Sequence, residues 1–254
     1  MERMETITKN RAHAPSGFFE VEAAGLEWLA EPEAVRVAKV VDVGPDHLEI
    51  ERLDSASPSG KAARTFGAGL ARLHDAGASA FGVGPDGWNS DGYIGEAPLS
   101  LDPEDAWGHF YAHQRCLPYA EQARAQGALS TAEFDVIVAL AARLDDGDFD
   151  DEAPPARIHG DLWSGNVLWT PTGVGLIDPA AHGGHRVTDL AMLALFGTPH
   201  LGDILDGYAA TSTYLPDDWR EVIDLHQVHP LLVHAVLFGG GYGSQAAAAA
   251  RRYL

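Results

Sequence analysis

Residues 158–179, IHGDLWSGNVLWTPTGVGLIDP, restrict this chain more than any other stretch. Two apolar runs, Val167-Leu168-Trp169 and Val174-Gly175-Leu176-Ile177, flank the turn Thr170-Pro171-Thr172-Gly173. Strand formers on either side of a Pro- and Gly-bearing turn predict a β-hairpin. Its open end would set Asn166 beside Asp178, with Asp161 five positions before the Asn. A lone His159-Gly160-Asp161 triplet says little. The triplet, the Asn, the hairpin and the second Asp in this order match what phosphoryl transfer to an alcohol requires. One carboxylate must reach the acceptor hydroxyl. An amide oxygen and a second carboxylate must hold Mg²⁺ against the phosphates of ATP.

The rest of the composition bounds that reading. A chain of 254 residues is long enough for one large domain or two lobes around a cleft. It carries 37 acidic against 17 basic residues, a net charge of −20. Such a field repels nucleic acid and anionic membrane, so no nucleic acid and no membrane partner is expected. It also repels ATP, so a nucleotide would need Mg²⁺ and a few local cations. The acids are dispersed, which fits solubility better than an acidic tail. The single Cys116 allows no internal disulfide and fits a reducing compartment, packed rather than reactive. No apolar run is long enough to span a membrane and the start lacks an apolar signal core, so a cytoplasmic protein is expected.

Along the chain, Glu5 to Lys9 alternates like a short strand ending in a lysine. Phe18, Val21, Gly25, Leu26 and Leu29 mark one face of a helix, with Ser16 as its expected cap. Strands are expected over 35–43 and 48–53, around a Gly44-Pro45-Asp46 turn. The stretch 55–60, rich in Ser, Pro and Gly, reads as a linker. Beyond it come helical stripes at Phe66, Leu70 and Leu73, then 107–126, then 134–144. An acidic, proline-ended loop at 145–155 leads into the hairpin motif. From Asp189 onward the pattern is largely helical. The expected architecture is a small α+β lobe over 1–56, a hinge, and a larger helical lobe over 57–254 with the hairpin facing the cleft.

With those residues placed, the chain resembles the fructosamine kinase family, a branch of the aminoglycoside-phosphotransferase-like, protein-kinase-like fold. TFGAGLARLHDAG, FGVGPDGWNSDGYIGEAP, WGHFYAHQRCLPY, HGDLWSGNVLW, IDPAAHGGHRVTDLAM and HPLLVHAVLFGGGYG resemble the family's signatures in the family's order. The Trp and Ser-Gly of DLWSGN separate this family from other small-molecule kinases of the fold. The resemblance implies ATP-dependent phosphorylation of a sugar hydroxyl, at O3, on a small-molecule or protein-bound ketosamine. Such a phosphate makes the adduct unstable and releases the repaired amine. Other readings are a kinase of the same fold acting on an aminoglycoside, choline or amino-sugar, or a non-catalytic relative. Monomer and homodimer stay open.

Carried over residue by residue, the resemblance makes Asp161 the catalytic carboxylate and Asn166 and Asp178 the Mg²⁺ ligands. Lys9 falls at the phosphate-binding lysine and Glu22 at the helix glutamate that positions it; otherwise Lys9 is an exposed strand-end lysine. Glu51 and Leu53 match the hinge that reads adenine through its backbone. His159 and Asp189 support the catalytic loop, unless Asp189 is only a helix cap. Trp163 either stacks on the ketosamine or packs the loop. Arg186 either takes a phosphate or carboxylate in the cleft or bridges to an acid. His226, His229 and His234 have a spacing that zinc sites use, but their apolar helix favours core histidines over metal ligands. His182 and His185 fall in an activation-segment-like loop.

Two departures stand out. The family begins with a hairpin whose Gly/Ser loop closes over the ATP phosphates, and it needs roughly 20 residues ahead of the lysine. Only eight precede Lys9. The expectation is a small lobe lacking its first β-hairpin, with the Lys9 strand as an exposed edge. Val187-Thr188 stands where the family usually has an acid after the Arg, which bears on acceptor preference.

Overall fold

The computed structural model describes residues 5–254 and opens with β1 (Thr6–Asn10) at the edge of a three-stranded antiparallel sheet. The sequence 18–30 forms α1 (Phe18–Ala30), which buries Phe19, Leu26 and Leu29. Ser16 is not its cap. The first turn closes on the Gly17 carbonyl, which accepts the Val21 N–H, and Gly17 takes a left-handed φ of 77° with no side-chain cap.

The apolar run expected as one strand over 35–43 is two strands in two sheets. β2 (Arg36–Val37) runs parallel to Gly175-Leu176, whereas β3 (Val40–Gly44) pairs antiparallel with β4 (His47–Glu51). The chain changes partner at Ala38-Lys39. Ala38 N–H donates to Leu176 O at 3.0 Å, and Lys39 O accepts from Glu51 N–H at 2.8 Å. The sheet order is β1-β4-β3. After the irregular stretch ending at Ser59, whose hydroxyl accepts the Ala62 N–H, comes α2 (Gly60–Asp75).

A small hairpin of β5 (Gly92–Ile94) and β6 (Ala97–Leu99) follows, then α3 (Trp107–Phe110). The helix expected over 107–126 is interrupted. A π-helical turn covers Tyr111–Cys116 before α4 (Leu117–Ala125) begins. Pro118 has no N–H to donate to the preceding turn, and the wider winding absorbs that loss. α5 (Thr131–Asp145) starts earlier than its apolar stripe because Ser130 and Glu133 form a reciprocal capping box.

β7 (Ala156–Ile158) leads into the motif. The predicted hairpin is present as β8 (Val167–Thr170) and β9 (Gly173–Leu176), paired from Val167 with Leu176 to Thr170 with Gly173. β10 (His182–Gly184) returns along β7. The remainder is α6 (Arg186–Leu195), α7 (Leu201–Ala209), α8 (Ile223–His226), α9 (Val228–Phe238) and α10 (Tyr242–Ala250). The fold is α+β, and helix dominates beyond residue 57.

Two apolar clusters hold it. One joins Leu26, Leu29, Leu48 and Ile50 to Phe66, Leu70 and Leu73 of α2, and on to Leu176 and Leu190. It therefore runs across position 57, so no break in the core separates the first strands from the hairpin. The other packs the turn at 111–116 between α5 and α9.

α2 and α7 touch backbone to backbone. A Cβ on Gly67 would lie 1.9 Å from Ile204 O, and one on Gly207 would lie 2.2 Å from Arg64 O. In an open helix Gly→Ala gains about 1 kcal/mol. Here the clash reverses the sign, and Gly67→Ala is expected to lower stability by about 1–3 kcal/mol in urea unfolding. A stabilised variant would contradict the close approach.

Candidate active site

One cleft of about 1090 Å³ collects side chains that the motif and the resemblance singled out: Lys9, Glu22, Asp161, Trp163, Asn166 and Asp178 all line it. Asp161 and Asn166 arrive from the segment between β7 and β8, and Asp178 follows β9 directly. Closure of the hairpin brings them together.

Asn166 Nδ2 donates to Asp161 O at 2.8 Å, to Asp161 Oδ2 at 3.3 Å and to Asp178 O at 3.3 Å. These bonds fix the amide and use only its nitrogen, which leaves Oδ1 as the atom suited to a cation. Burial raises the Asp161 carboxyl to about 7, against the Asn166 hydrogen bond and with a further push from Asp178 and Asp189. Positive charge beside this carboxyl would therefore be welcome, and both Lys9 and Arg11 line the cleft.

Lys9 Nζ lies 2.5 Å from Glu22 Oε1 and 2.7 Å from Asp178 Oδ1. Burial pulls the Lys9 ammonium down, but Glu22 and Asp178 more than reverse this, so it lies above the usual lysine range. Strand β1, helix α1 and the end of β9 are thus tied through one cation. Asp178 meets Lys9 from a left-handed backbone, φ 55°, uncommon for a residue with a side chain and frequent at functional sites.

Asp189 does not cap α6; His185 does. Fully buried, Asp189 accepts the His159 N–H at 2.8 Å and the Gly160 N–H at 3.0 Å. His74 Nε2–H donates to its Oδ2 at 3.1 Å, and His74 Nδ1 is 2.7 Å from the Tyr208 hydroxyl. His159 Nε2–H donates to Ile177 O at 2.9 Å. The ring therefore joins the start of the motif to its end.

Other expected residues lie elsewhere. Arg186 does not enter the cleft: it is 1% exposed and its Nη1 sits 2.5 Å from Asp75 Oδ1, so it bridges to an acid. Glu51 and Leu53 are not among the cleft-lining residues. The Glu51 side chain pairs with Arg36 at 2.6 Å, and Leu53 is buried against Gly175. Trp163 is 42% exposed and lines the cleft, while its indole packs against Gly165, where a Cβ would come within 2.3 Å of the ring. His226 and His229 are buried as expected, but His234 lines the cleft with Phe196, Phe238 and Tyr242. Its ring is 4.7 Å from Phe196 and 5.1 Å from Tyr242. Only the four-residue spacing of His234 and Phe238 on α9 hinted at this wall. Cys116 is buried, and burial pushes its thiol well up.

Fold and site together define an aminoglycoside-phosphotransferase-like, protein-kinase-like protein. The gentamicin complex of APH(2")-IIa shares the fold with a TM-score of 0.61 at 13% identity, over 97% of this chain and 82% of that one. The particular family is clear from the sequence profile of the fructosamine kinases, which matches residues 4–254; the chain belongs to that family. A relative in Synechocystis named a probable ketoamine kinase is 35% identical over 234 residues, 90% of this chain and 76% of the relative. A crystal structure from Thermobifida fusca, described as a putative fructosamine-3-kinase, has a TM-score of 0.88 and 44% identity, covering 98% and 85% of the two chains.

Two outcomes follow from the buried polar groups. Asp189→Ala strands two backbone donors and His74, and is expected to cost about 3 kcal/mol or more in chemical denaturation, with Asp189→Asn losing less. The second concerns pH. Burial holds His74, His159, His182, His226 and His229 below the usual imidazole value of 6.5. Above that value folded and unfolded forms are both neutral. Below it the unfolded chain takes up protons that the folded one refuses, at up to about 1.4 kcal/mol per pH unit for each group. Asp161 and Glu22, raised by burial, act in the opposite sense but offset only two of the five. The thermal midpoint should fall by on the order of 10 °C between pH 7.5 and 5.5, and a flat profile would refute neutral burial.

Proposed function

We propose that the chain transfers the γ-phosphoryl group of ATP to a sugar hydroxyl, O3, of a ketosamine and so acts in deglycation repair. One observation carries this: Asp161, Asn166, Asp178 and Lys9 converge on a single cleft in a chain of the fructosamine kinase family. The relatives' names, ketoamine kinase and fructosamine-3-kinase, support the acceptor class.

Asp161 accepts or orients the proton of the attacking hydroxyl. Its high value in the bare cleft suits a base that takes a proton. Lys9, aimed by Glu22, holds the α- and β-phosphates; that needs only the release of its bond to Asp178. Asn166 Oδ1 and the Asp178 carboxylate are hard oxygen donors and fit Mg²⁺. When bound, that ion neutralises charge on the transferring phosphates. His159 and Asp189 keep the Asp161 loop in one conformation and touch no substrate. Trp163 offers an indole face to the acceptor. The adenine edge is assigned to the backbone around Leu53, since the Glu51 amide already donates to Lys39. The same reading divides the chain into lobes over 1–56 and 57–254. The cytoplasmic assignment rests on the single buried cysteine.

Mass or ³¹P detection of phosphorylated fructose-lysine or ribulose-lysine tests the reaction. Asp161→Asn should lower turnover by at least about 10² while a Mg·ATP-dependent thermal shift persists. Near-normal turnover in that variant, or no phosphorylated ketosamine from the wild type, would overturn the proposal.

A further inference from the structure

Among the described residues a group of three histidine and aspartate side chains gathers like a metal site outside the cleft: His109, His113 and Asp145. We propose that these three bind one borderline divalent transition-metal ion, Zn²⁺ foremost, with water completing the coordination.

The local fold builds the site. His109 lies on α3 and His113 four residues on, in the π-helical turn, so both imidazoles leave the same helical face. Asp145 is the last residue of α5, which packs against that turn. The two rings converge on one atom. His109 Nδ1 is 2.6 Å and His113 Nε2 is 3.2 Å from Asp145 Oδ1, and the candidate ligand atoms all lie within 4.8 Å of one another. Zn–N and Zn–O bonds of about 2.0–2.2 Å place tetrahedral ligands about 3.3–3.6 Å apart. The observed separations, from 2.6 Å to at most 4.8 Å, bracket that spacing.

The surroundings point the same way. His109 Nε2, the nitrogen not aimed at Asp145, is 3.7 Å from Glu104 Oε1. A carboxylate behind a ligating imidazole fixes its tautomer and raises its basicity. Glu104 is itself held by paired backbone bonds to Phe81, at 2.8 and 3.0 Å. The three side chains are 45–46% exposed, so an ion can enter from solvent. Two imidazoles and one carboxylate select Zn²⁺, Co²⁺ or Ni²⁺ over Mg²⁺, which prefers oxygen. In the absence of metal the same contacts are hydrogen bonds to the Asp145 carboxylate, and a bound ion would displace the shared protons.

The ion would brace the approach to the cleft. Asp145 opens the loop in which Asp150 accepts the Gly108 N–H at 2.7 Å and Asp151 pairs with His185 at 3.1 Å. That loop enters β7, which runs into the Asp161 segment. Binding at His109 and His113 should therefore show as stability more than as turnover.

The test is titration of the chelator-stripped full chain with Zn²⁺, read by calorimetry, and with Co²⁺, read by its visible absorption. Wild type and Asp178→Asn should each bind one ion, with Mg²⁺ failing to compete and the thermal midpoint rising on Zn²⁺ addition. His113→Ala, His113→Gln and Asp145→Asn, all at exposed positions, should stay folded by circular dichroism and lose at least about tenfold in affinity. Equal binding by wild type and the His113 variants, or loss of binding in Asp178→Asn alone, would overturn the assignment. None of these readouts depends on the activity of the cleft.

Discussion

Asp189 is the constraint on which the cleft depends. It has no exposure to water, yet it stays ionised in character because His159 N–H, Gly160 N–H and His74 all point at it, which holds its carboxyl below the usual range despite burial. A charge in that position cannot move without leaving three donors unsatisfied. The start of the Asp161 loop is therefore fixed from behind, by a group that never meets the solvent. Through His74 and Tyr208 the same carboxylate ties α2, α6 and α7 together, so the shape of the loop and the packing of the helices are one problem.

In front of that support the electrostatics are unbalanced on purpose. Asp161, Asp178 and Glu22 all line a cleft that Lys9 shares. Lys9 answers two of the carboxylates, and the third is raised to about 7 by burial. A further cation beside Asp161 would be stabilised there. On the proposed function that cation is the Mg²⁺ of the nucleotide, which would also let a chain of net charge −20 accept an anionic cosubstrate.

The donor chemistry separates the two proposed cation sites. In the cleft the available atoms are oxygens, from Asn166 and Asp178, which suit a hard ion such as the proposed Mg²⁺. At His109, His113 and Asp145 two of the three atoms are imidazole nitrogens, which suit a resident borderline ion. The π-helical turn beside Pro118 belongs to this second site, since it carries His113 next to His109 on the face that meets α5.

What the amino-acid order determined by itself is the local part. The hairpin, the apolar face of α1 and the placing of Asp161, Asn166 and Asp178 follow from turn residues and apolar spacing within about 20 residues, where chain connectivity does most of the work. The family signatures were equally legible. The tertiary structure alone decided the rest, because it depends on partners far away in sequence. Residues 35–43 split into two strands because Leu176 and Glu51 compete for neighbouring backbone groups. Arg186 turned from the cleft because Asp75 offers a carboxylate at 2.5 Å, and His234 joined the cleft wall because α9 presents it beside Phe196. Lys9 and Asp178, and likewise His113 and Asp145, meet only when elements distant in the chain pack together, and no periodicity encodes where a folded chain will bring two charges into contact.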